Sequence, residues 1–435
     1  MIKTVLEGLT ILPNAPENNK APIAPVVHLA NGLVLSDRDF EAATLIVGSV
    51  GSGKSVLLSD IMEPILETAE EKKENVIIFC AKKELLKYKR PQDIVVSIDT
   101  EEPAGCWNMF LEMQASKKPE ITARDIAKSL TKDQRSEIQP FFENACNDIV
   151  FNTLMSMYEN GCKKNITYTN WDFVDFQKKL KVLGGEDDIT WSKLAKLRPE
   201  RFGHLEDYFG DGIAQGYGIT SEIRTLLHNC FWGAFASDSG EFSAIKTLKE
   251  GGKRIFLLYD FANSSEASVK ILSTILNLLM KHSVDENNER RTWFFVDEAS
   301  QLPPTCIADC MSLGRSAGFR LFMVLQSAEL LTRHYSKQEA KTILSLFPNM
   351  IFLRVQDAFS RSILADRYGK CLCSYSFTDP VQKTIQHVEF RPVVADSDFS
   401  QLINKGDAIC SIPSLCEAPF WYHGYRKELE NDQQI

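Results

Sequence analysis

No stretch of this sequence approaches the ~20 consecutive apolar residues that a membrane-crossing helix needs. The N-terminal MIKTVLEGLTILPNAPENNKAP also lacks the apolar core of about 7–15 residues that marks a secretory signal. The expectation is a soluble, cytoplasmic protein. An excess of positive charge is missing as well. Lys and Arg number 49 against 58 Asp and Glu, a net charge of −9, so the molecule as a whole has no electrostatic footprint for nucleic acid or anionic lipid. Any such contact needs a local basic patch. Cysteines at disulfide or zinc spacing are absent too: the eleven present are an odd number scattered over 435 residues, which fits a reducing compartment. Cys306-x3-Cys310 and Cys371-x-Cys373 have no second close Cys or His pair and are expected as free thiols, and none of the seven histidines stands at metal spacing. There is no internal repeat and no low-complexity run.

What is present is an ordinary globular composition, 44% apolar and 25% charged, in a chain long enough for one large α/β domain or two of usual size. Residues 13–25, PNAPENNKAPIAP, read as an extended arm. Short apolar runs bounded by turn residues follow: ATLIVG (43–48), NVIIFC (75–80), DIVVSI (93–98), RIFLLYDF (254–261), TWFFVD (292–297), RLFMVLQ (320–326) and MIFLRV (350–355). Continuous rather than alternating apolar strands indicate a sheet covered by helices on both faces. Between Ile98 and Arg254 helical periodicity takes over, with Pro140 opening one helix, Thr169-Asn170 capping WDFVDFQKKL, and TSEIRTLLHNCFWGAF continuing the pattern. FSRSILADRYG reads as a further helix. The expected organisation is an arm over 1–30, an α/β domain over 31–114 and 239–435, and an all-α insertion over 115–238.

The run Gly48-Ser49-Val50-Gly51-Ser52-Gly53-Lys54-Ser55 matches G-x4-G-K-[ST], with the strand TLIV before it and the helix former VLLSDIMEPILETAE behind it. That is the context of a P-loop. Its glycines let backbone amides approach phosphate, and the following helix turns its positive end to the same place. Lys54 is expected on the β- and γ-phosphates of ATP and Ser55 on Mg²⁺. Asp297 and Glu298 close the strand FFVDEASQLPP: the first is placed to complete the Mg²⁺ site, the second to polarise an attacking water. Pro303-Pro304 then end the turn, since neither donates a backbone hydrogen bond. Gln326 closes another buried strand and reads either as a sensor of the γ-phosphate or as a satisfied amide at a strand end. Arg315, between Gly314 and Ser316, reads either as an arginine finger for a neighbouring subunit or as a surface arginine paired with an acid. Lys82, Lys83, Lys87, Lys89 and Arg90 are either a phosphate-backbone contact or a solvated basic face. Trp171, Phe173 and Phe176 either stack bases or pack a helix.

Taken in order, the P-loop, the helical insertion, FFVDEASQLP, SLGRSAGFRLFMVLQS, TILSLFPNMIFLRVQD and the closing VEFRPVVADSDFSQLINKGDAICSIPSLCEAPFWYHGY resemble the type IV secretion coupling proteins, the conjugation ATPases. The likeness runs from about Asn31 to the C-terminus. It implies a RecA-like motor domain carrying an all-α domain, assembled as a homo-hexamer. ATP hydrolysis would then move single-stranded DNA with its relaxase, or a protein substrate, toward a secretion channel at the inner membrane. Carried over, Lys54 and Ser55 bind nucleotide and Mg²⁺, Asp297 and Glu298 are the Walker B pair, Gln326 is the sensor and Arg315 the trans-acting arginine. Relatives begin with transmembrane helices, which this sequence does not show, so membrane attachment is expected to come from a partner at the inner face or to be absent. Departures fall elsewhere: Cys80-Ala81-Lys82-Lys83-Glu84 stands for a D-P-K-G-E turn, Asn108-Met109-Phe110 for N-P-L, and Ala299 for a common Phe. Two other readings are a HerA/FtsK-like pump of double-stranded DNA and a nucleotide-gated adaptor that only recruits substrate.

Overall fold

All seven apolar runs contain strands in the computed structural model, which describes residues 2–17, 21–81, 83–131, 140–164, 178, 199–203, 213–231, 233–236, 240–259, 266–285, 290–302, 306–378 and 384–424. In chain order the strands are β1 (Ile2–Glu7), β2 (Val26–His28), β3 (Val34–Ser36), β4 (Thr44–Val47), β5 (Asn75–Cys80), β6 (Ile94–Val96), β7 (Arg254–Leu258), β8 (Thr292–Val296), β9 (Phe319–Leu325), β10 (Asn349–Phe352), β11 (Lys370–Thr378), β12 (Thr384–Pro392), β13 (Ala408–Ser411) and β14 (Phe420–Tyr422). The chain forms two units, one made of Met1–Glu74, Arg291–Ser300 and Met311–Ile435, the other of Asn75–Arg290 and Gln301–Cys310.

In the first unit the strands run in the order β14-β13-β10-β4-β9-β8. β10, β4, β9 and β8 are mutually parallel, and β13 and β14 add antiparallel pairs at one side. Every residue of the four parallel strands is buried, as continuous apolar runs require when both faces of a sheet are covered. Aromatic rings fill the space between them, Phe295 stacking on Phe322 at 5.0 Å between centroids and Phe40 meeting the same ring edge-on at 5.3 Å. A separate antiparallel sheet, β1-β11-β12, and the pair β2-β3 belong to this unit as well. Ile2–Glu7 is thus a strand within the segment expected to be an arm. Its partner is β11, where Thr4 faces Ser374, and a pairing that distant in sequence leaves no local signal.

The second unit holds the parallel strands β5-β7-β6 and most of the described α-helices. Asn108, the residue shared with the family's N-P-L, caps the helix Met109–Ala115 by accepting from the amides of Phe110 and Leu111, so the departures at Met109 and Phe110 leave the helix start intact. Next to it Glu112 is fully buried and accepts four hydrogen bonds, from Trp107 Nε1 (2.8 Å), Ser243 Oγ (2.7 Å), Ala244 N (2.6 Å) and Ile245 N (3.0 Å). The last two are amides at the start of the helix Ala244–Glu250, whose positive end meets the carboxylate. The helices Pro119–Thr131 and Glu266–Ser283 are tied by Thr274 Oγ1 donating to Ser129 Oγ at 2.7 Å and by the Lys281–Asp125 pair at 2.5 Å.

His282, near the end of Glu266–Ser283, is pushed down to about 4, first by burial and then by the Lys281 ammonium, with Asp125 and Asp285 opposing. A depressed folded-state value means that the folded protein resists protonation of a group that the unfolded chain protonates near 6.5. Stability is therefore full above that value and falls as pH drops toward 4, by up to about 3 kcal/mol for this group. Denaturation midpoints at pH 7 and pH 4.5 should show His282→Gln losing less stability on acidification than the wild type. Equal losses would remove His282 from the acid response.

Candidate functional site

β4 delivers the chain into the loop Gly48–Ser55, and the 18-residue helix Lys54–Glu71 leaves it. Each glycine of the loop meets a different demand. A Cβ on Gly48 would stand 2.6 Å from Ser52 Oγ and 2.9 Å from Leu353 Cβ, and one on Gly53 would stand 3.0 Å from the Gly406 amide nitrogen. Gly51 and Gly53 also adopt φ of +75° and +106°, where a side chain is strained. The helix starts on Gly53 with no side-chain cap and no acid in its first turn, so its positive end is left for a ligand. Ser52 Oγ is buried without a hydrogen-bond partner. Lys54 folds back along the loop, its ammonium donating to the carbonyls of Gly48 and of Ser49, the latter at 2.9 Å. Val50, Gly51 and Ser55 face solvent around it. Open amides, an orphaned buried hydroxyl, a space only glycine fits and an ammonium within the loop suit a polyphosphate.

β9 organises the rest. On one side the Gly48 amide donates to the Leu325 carbonyl at 3.1 Å, continuing the β4–β9 pairing in which Val47 faces Leu325. On the other side the Ala299 amide donates to the Val324 carbonyl at 3.0 Å, continuing the β8–β9 pairing in which Val296 faces Met323. Two neighbouring carbonyls of one strand thus hold the phosphate-type loop and the acid pair. The carboxyl ends of parallel strands are where open α/β sheets bind ligands. Ser49 is fixed from β10's side, its amide donating to Arg354 O at 2.8 Å.

Asp297 is half-buried at the end of β8. Glu298 is 9% exposed and takes φ +57°, uncommon for a residue with a side chain. Its Oε1 accepts from Ser300 Oγ, and the Ser300 carbonyl meets His334 Nε2 at 2.8 Å, which makes that ring nitrogen the donor. Gln326 directly follows β9, half-buried, and its side-chain amide has no hydrogen-bond partner among the described residues. Lys54, Ser55, Asp297, Glu298 and Gln326 therefore share one edge of the sheet. Arg315 does not. It lies in the turn before β9, at the opposite end of a seven-residue strand roughly 20 Å long. There its side chain is 73% exposed and pairs with Glu41 at 2.9 Å.

Of the basic cluster, Arg90 is committed to Asp93, its Nη2 2.7 Å from Oδ1, while Lys87 lies over the Tyr88 ring. The Cys306–Cys310 and Cys371–Cys373 sulfurs are 3.7 Å and 3.4 Å apart, at hydrogen-bond and not disulfide distance, and among the described residues no group of acids, histidines and cysteines is arranged for a metal. No described helix is long and apolar enough to cross a membrane. Lys82, Trp171, Phe173, Phe176, Pro303, Pro304 and the Thr169-Asn170 cap lie outside the described residues. Sequence reasoning missed Ser300, His334 and the Gly406 contact to the loop. Only Ser300, two residues beyond Glu298, stood close enough to suggest itself.

The profile for the type IV secretion-system coupling protein DNA-binding domain matches residues 28–183 and 215–379. The bacterial conjugative coupling protein TrwBdeltaN70 is 17% identical, with a TM-score of 0.73 over 98% of this chain and 95% of that one. The plasmid coupling protein TrwB in complex with ADP and Mg²⁺ is 17% identical, with a TM-score of 0.73 over 97% and 95%. VirB4 of Thermoanaerobacter pseudethanolicus is 13% identical, with a TM-score of 0.55 over 95% and 99%. No curated protein sequence matches. The fold is accordingly a RecA-like P-loop NTPase with an inserted all-α domain, as the sequence resemblance led us to expect.

Proposed function

Because the chain belongs to the family of type IV secretion-system coupling proteins, we propose that it is an ATP-hydrolysing motor that recruits single-stranded DNA, a relaxase–DNA complex or a protein substrate and drives it toward a secretion channel. The observation that carries the hydrolytic part is the pair of β9 carbonyls, Leu325 and Val324, holding the phosphate-type loop and the acid pair side by side. Gly48, Ser49, Val50, Gly51, Ser52 and Gly53 supply the loop around the phosphates. Lys54 exchanges its bonds to the loop carbonyls for the β- and γ-phosphates. Ser55 and Asp297 would hold Mg²⁺, which when bound with ATP would supply positive charge to offset that of the phosphates. Glu298 accepts the proton of the attacking water, and Gln326 contacts the γ-phosphate. TrwB has been captured with ADP and Mg²⁺ and with the ATP analogue ADPNP, which supports the choice of nucleotide.

Arg315, on the far edge of its own sheet, serves in this reading a neighbouring subunit of a homo-hexamer, where it stabilises transition-state charge. Residues 115–238 form the all-α domain and 31–114 with 239–435 the motor domain. The protein works in the cytoplasm against secretion components of the inner membrane. The test measures ATPase rate and particle mass together, with and without single-stranded DNA, for the wild type and for mixtures with Arg315→Ala. The expected result is Mg²⁺-dependent hydrolysis by a six-subunit species, stimulated by DNA, that falls faster than linearly as mutant subunits are mixed in. Hydrolysis by an assembled ring indifferent to DNA would sink the DNA motor, a preference for duplex would favour the double-stranded pump, and linear dilution would remove Arg315 from the site.

A further inference from the structure

We propose that Ser300 and His334 are positioning residues for Glu298, and that they tie its carboxylate to the strand end carrying Gln326. The proposal rests on the hydrolytic reading of Glu298 given above.

Glu298 holds a left-handed backbone, φ +57°, which costs a side-chain-bearing residue about 1 kcal/mol or more and persists only where surroundings over-determine it. Two contacts do so. The next residue is anchored to β9 through the Ala299 amide and the Val324 carbonyl, and the carboxylate is anchored through Ser300 Oγ on Oε1. Ser300 is 4% exposed, so its hydroxyl has little water to turn to. With Oε1 taken, Oε2 is the oxygen left to meet a water, and the carboxylate plane is fixed. General-base chemistry gains from that definition of geometry.

Ser300 is itself held. Its carbonyl accepts from His334 Nε2 at 2.8 Å. His334 ends the short 3-10 helix Ala328–Arg333, which Ser327 caps through the Glu329 amide and which Ser360 Oγ secures by accepting from the Ala328 amide at 2.8 Å. Ser327 directly follows Gln326. The connection therefore runs from Gln326 through one capped turn to His334, across one hydrogen bond to Ser300, across another to Glu298, and back to β9 at Val324. A shift of Gln326 onto a γ-phosphate moves the turn that positions the base. Ser300 contacts the Glu298 carboxylate and His334 contacts Ser300, so both act through Glu298.

Single-turnover hydrolysis and nucleotide affinity would be measured for the wild type, Glu298→Gln, Ser300→Ala, Ser300→Thr, His334→Ala and the Ser300→Ala/His334→Ala pair. Ser300→Ala should lower kcat about tenfold with ATP affinity kept within about twofold, and Ser300→Thr, which keeps the hydroxyl, should recover most of the rate. His334→Ala should lower kcat about threefold, and the double variant should be no slower than Ser300→Ala alone, because both act through one contact. The positioning role is overturned by a wild-type kcat in Ser300→Ala, by an equal loss of rate and nucleotide affinity, or by additive effects in the double variant. An active wild type, an inactive Glu298→Gln and an unaffected Ser300→Ala overturn this inference alone. A wild type with no Mg²⁺-dependent hydrolysis overturns the reading of Glu298 and this one with it.

Discussion

Glu298→Gln should reduce ATP turnover by about a thousandfold while leaving ATP binding intact. The substitution keeps the size of the side chain and an oxygen able to accept from Ser300 Oγ, and removes the charge that takes a proton from water. Because Glu298 stands at the end of β8 and not in the Gly48–Ser55 loop, nucleotide contacts survive. The variant should therefore accumulate with ATP bound, measurable as unhydrolysed nucleotide retained after gel filtration. Lys54→Ala should do the opposite and lose the nucleotide itself, since Lys54 already lies along the loop on the Gly48 and Ser49 carbonyls. A Glu298→Gln protein that still hydrolyses ATP at more than a tenth of the wild-type rate would move the base elsewhere. The adaptor reading is separated by the same variant, because a protein that uses ATP only to set conformation would keep recruiting substrate at wild-type level.

The second large effect concerns stability. Glu112→Ala should destabilise the helical unit by about 3–5 kcal/mol, the range for removing one partner from a buried charged network. Four donors lose their acceptor together: Trp107 Nε1, Ser243 Oγ and the amides of Ala244 and Ile245. Burial raises the Glu112 carboxyl above its ordinary value and the four hydrogen bonds pull it back. Glu112→Gln is no simple rescue, because its amide nitrogen would face donors where the second carboxylate oxygen accepts. It should fall between wild type and alanine. Chemical denaturation of the three proteins reads the order directly, and an alanine variant within about 1 kcal/mol of wild type would show that water or rearrangement satisfies the donors.

How much of this was legible in the sequence depended on whether the signal was local. The parallel strands announced themselves because both faces are covered, so TLIV, NVIIFC, TWFFV and FRLFMVL carry no alternation to misread. β11, KCLCSYSFT, alternates apolar and polar with Cys371, Cys373 and Tyr375 buried; its mate Thr384–Pro392 is the next strand along the chain, but Ile2–Glu7 pairs with it from the far end of the sequence, and no local pattern announced that third strand. The loop Gly48–Ser55 was readable because each of its residues answers a separate demand within eight positions. Ser300 and His334 were not, since a lone serine and a lone histidine gain meaning only when β8 and the turn after β9 come together. Arg315 shows a different limit. A Gly-Arg-Ser turn is visible in sequence, but only the fold places it at the opposite end of β9 from Gln326, paired with Glu41.

If the end of β9 holds both halves of one ATP site, a structure with Mg²⁺ and a non-hydrolysable ATP analogue will show it. The Lys54 ammonium and the Gln326 amide should lie within about 3 Å of γ-phosphate oxygens, with Mg²⁺ on the Ser55 hydroxyl and Asp297 beside it. Glu298 should face the γ-phosphorus across a single water. A nucleotide bound anywhere else, or bound at the loop while Lys54 keeps its bonds to Gly48 and Ser49 and Glu298 points away from the γ-phosphate, would contradict it.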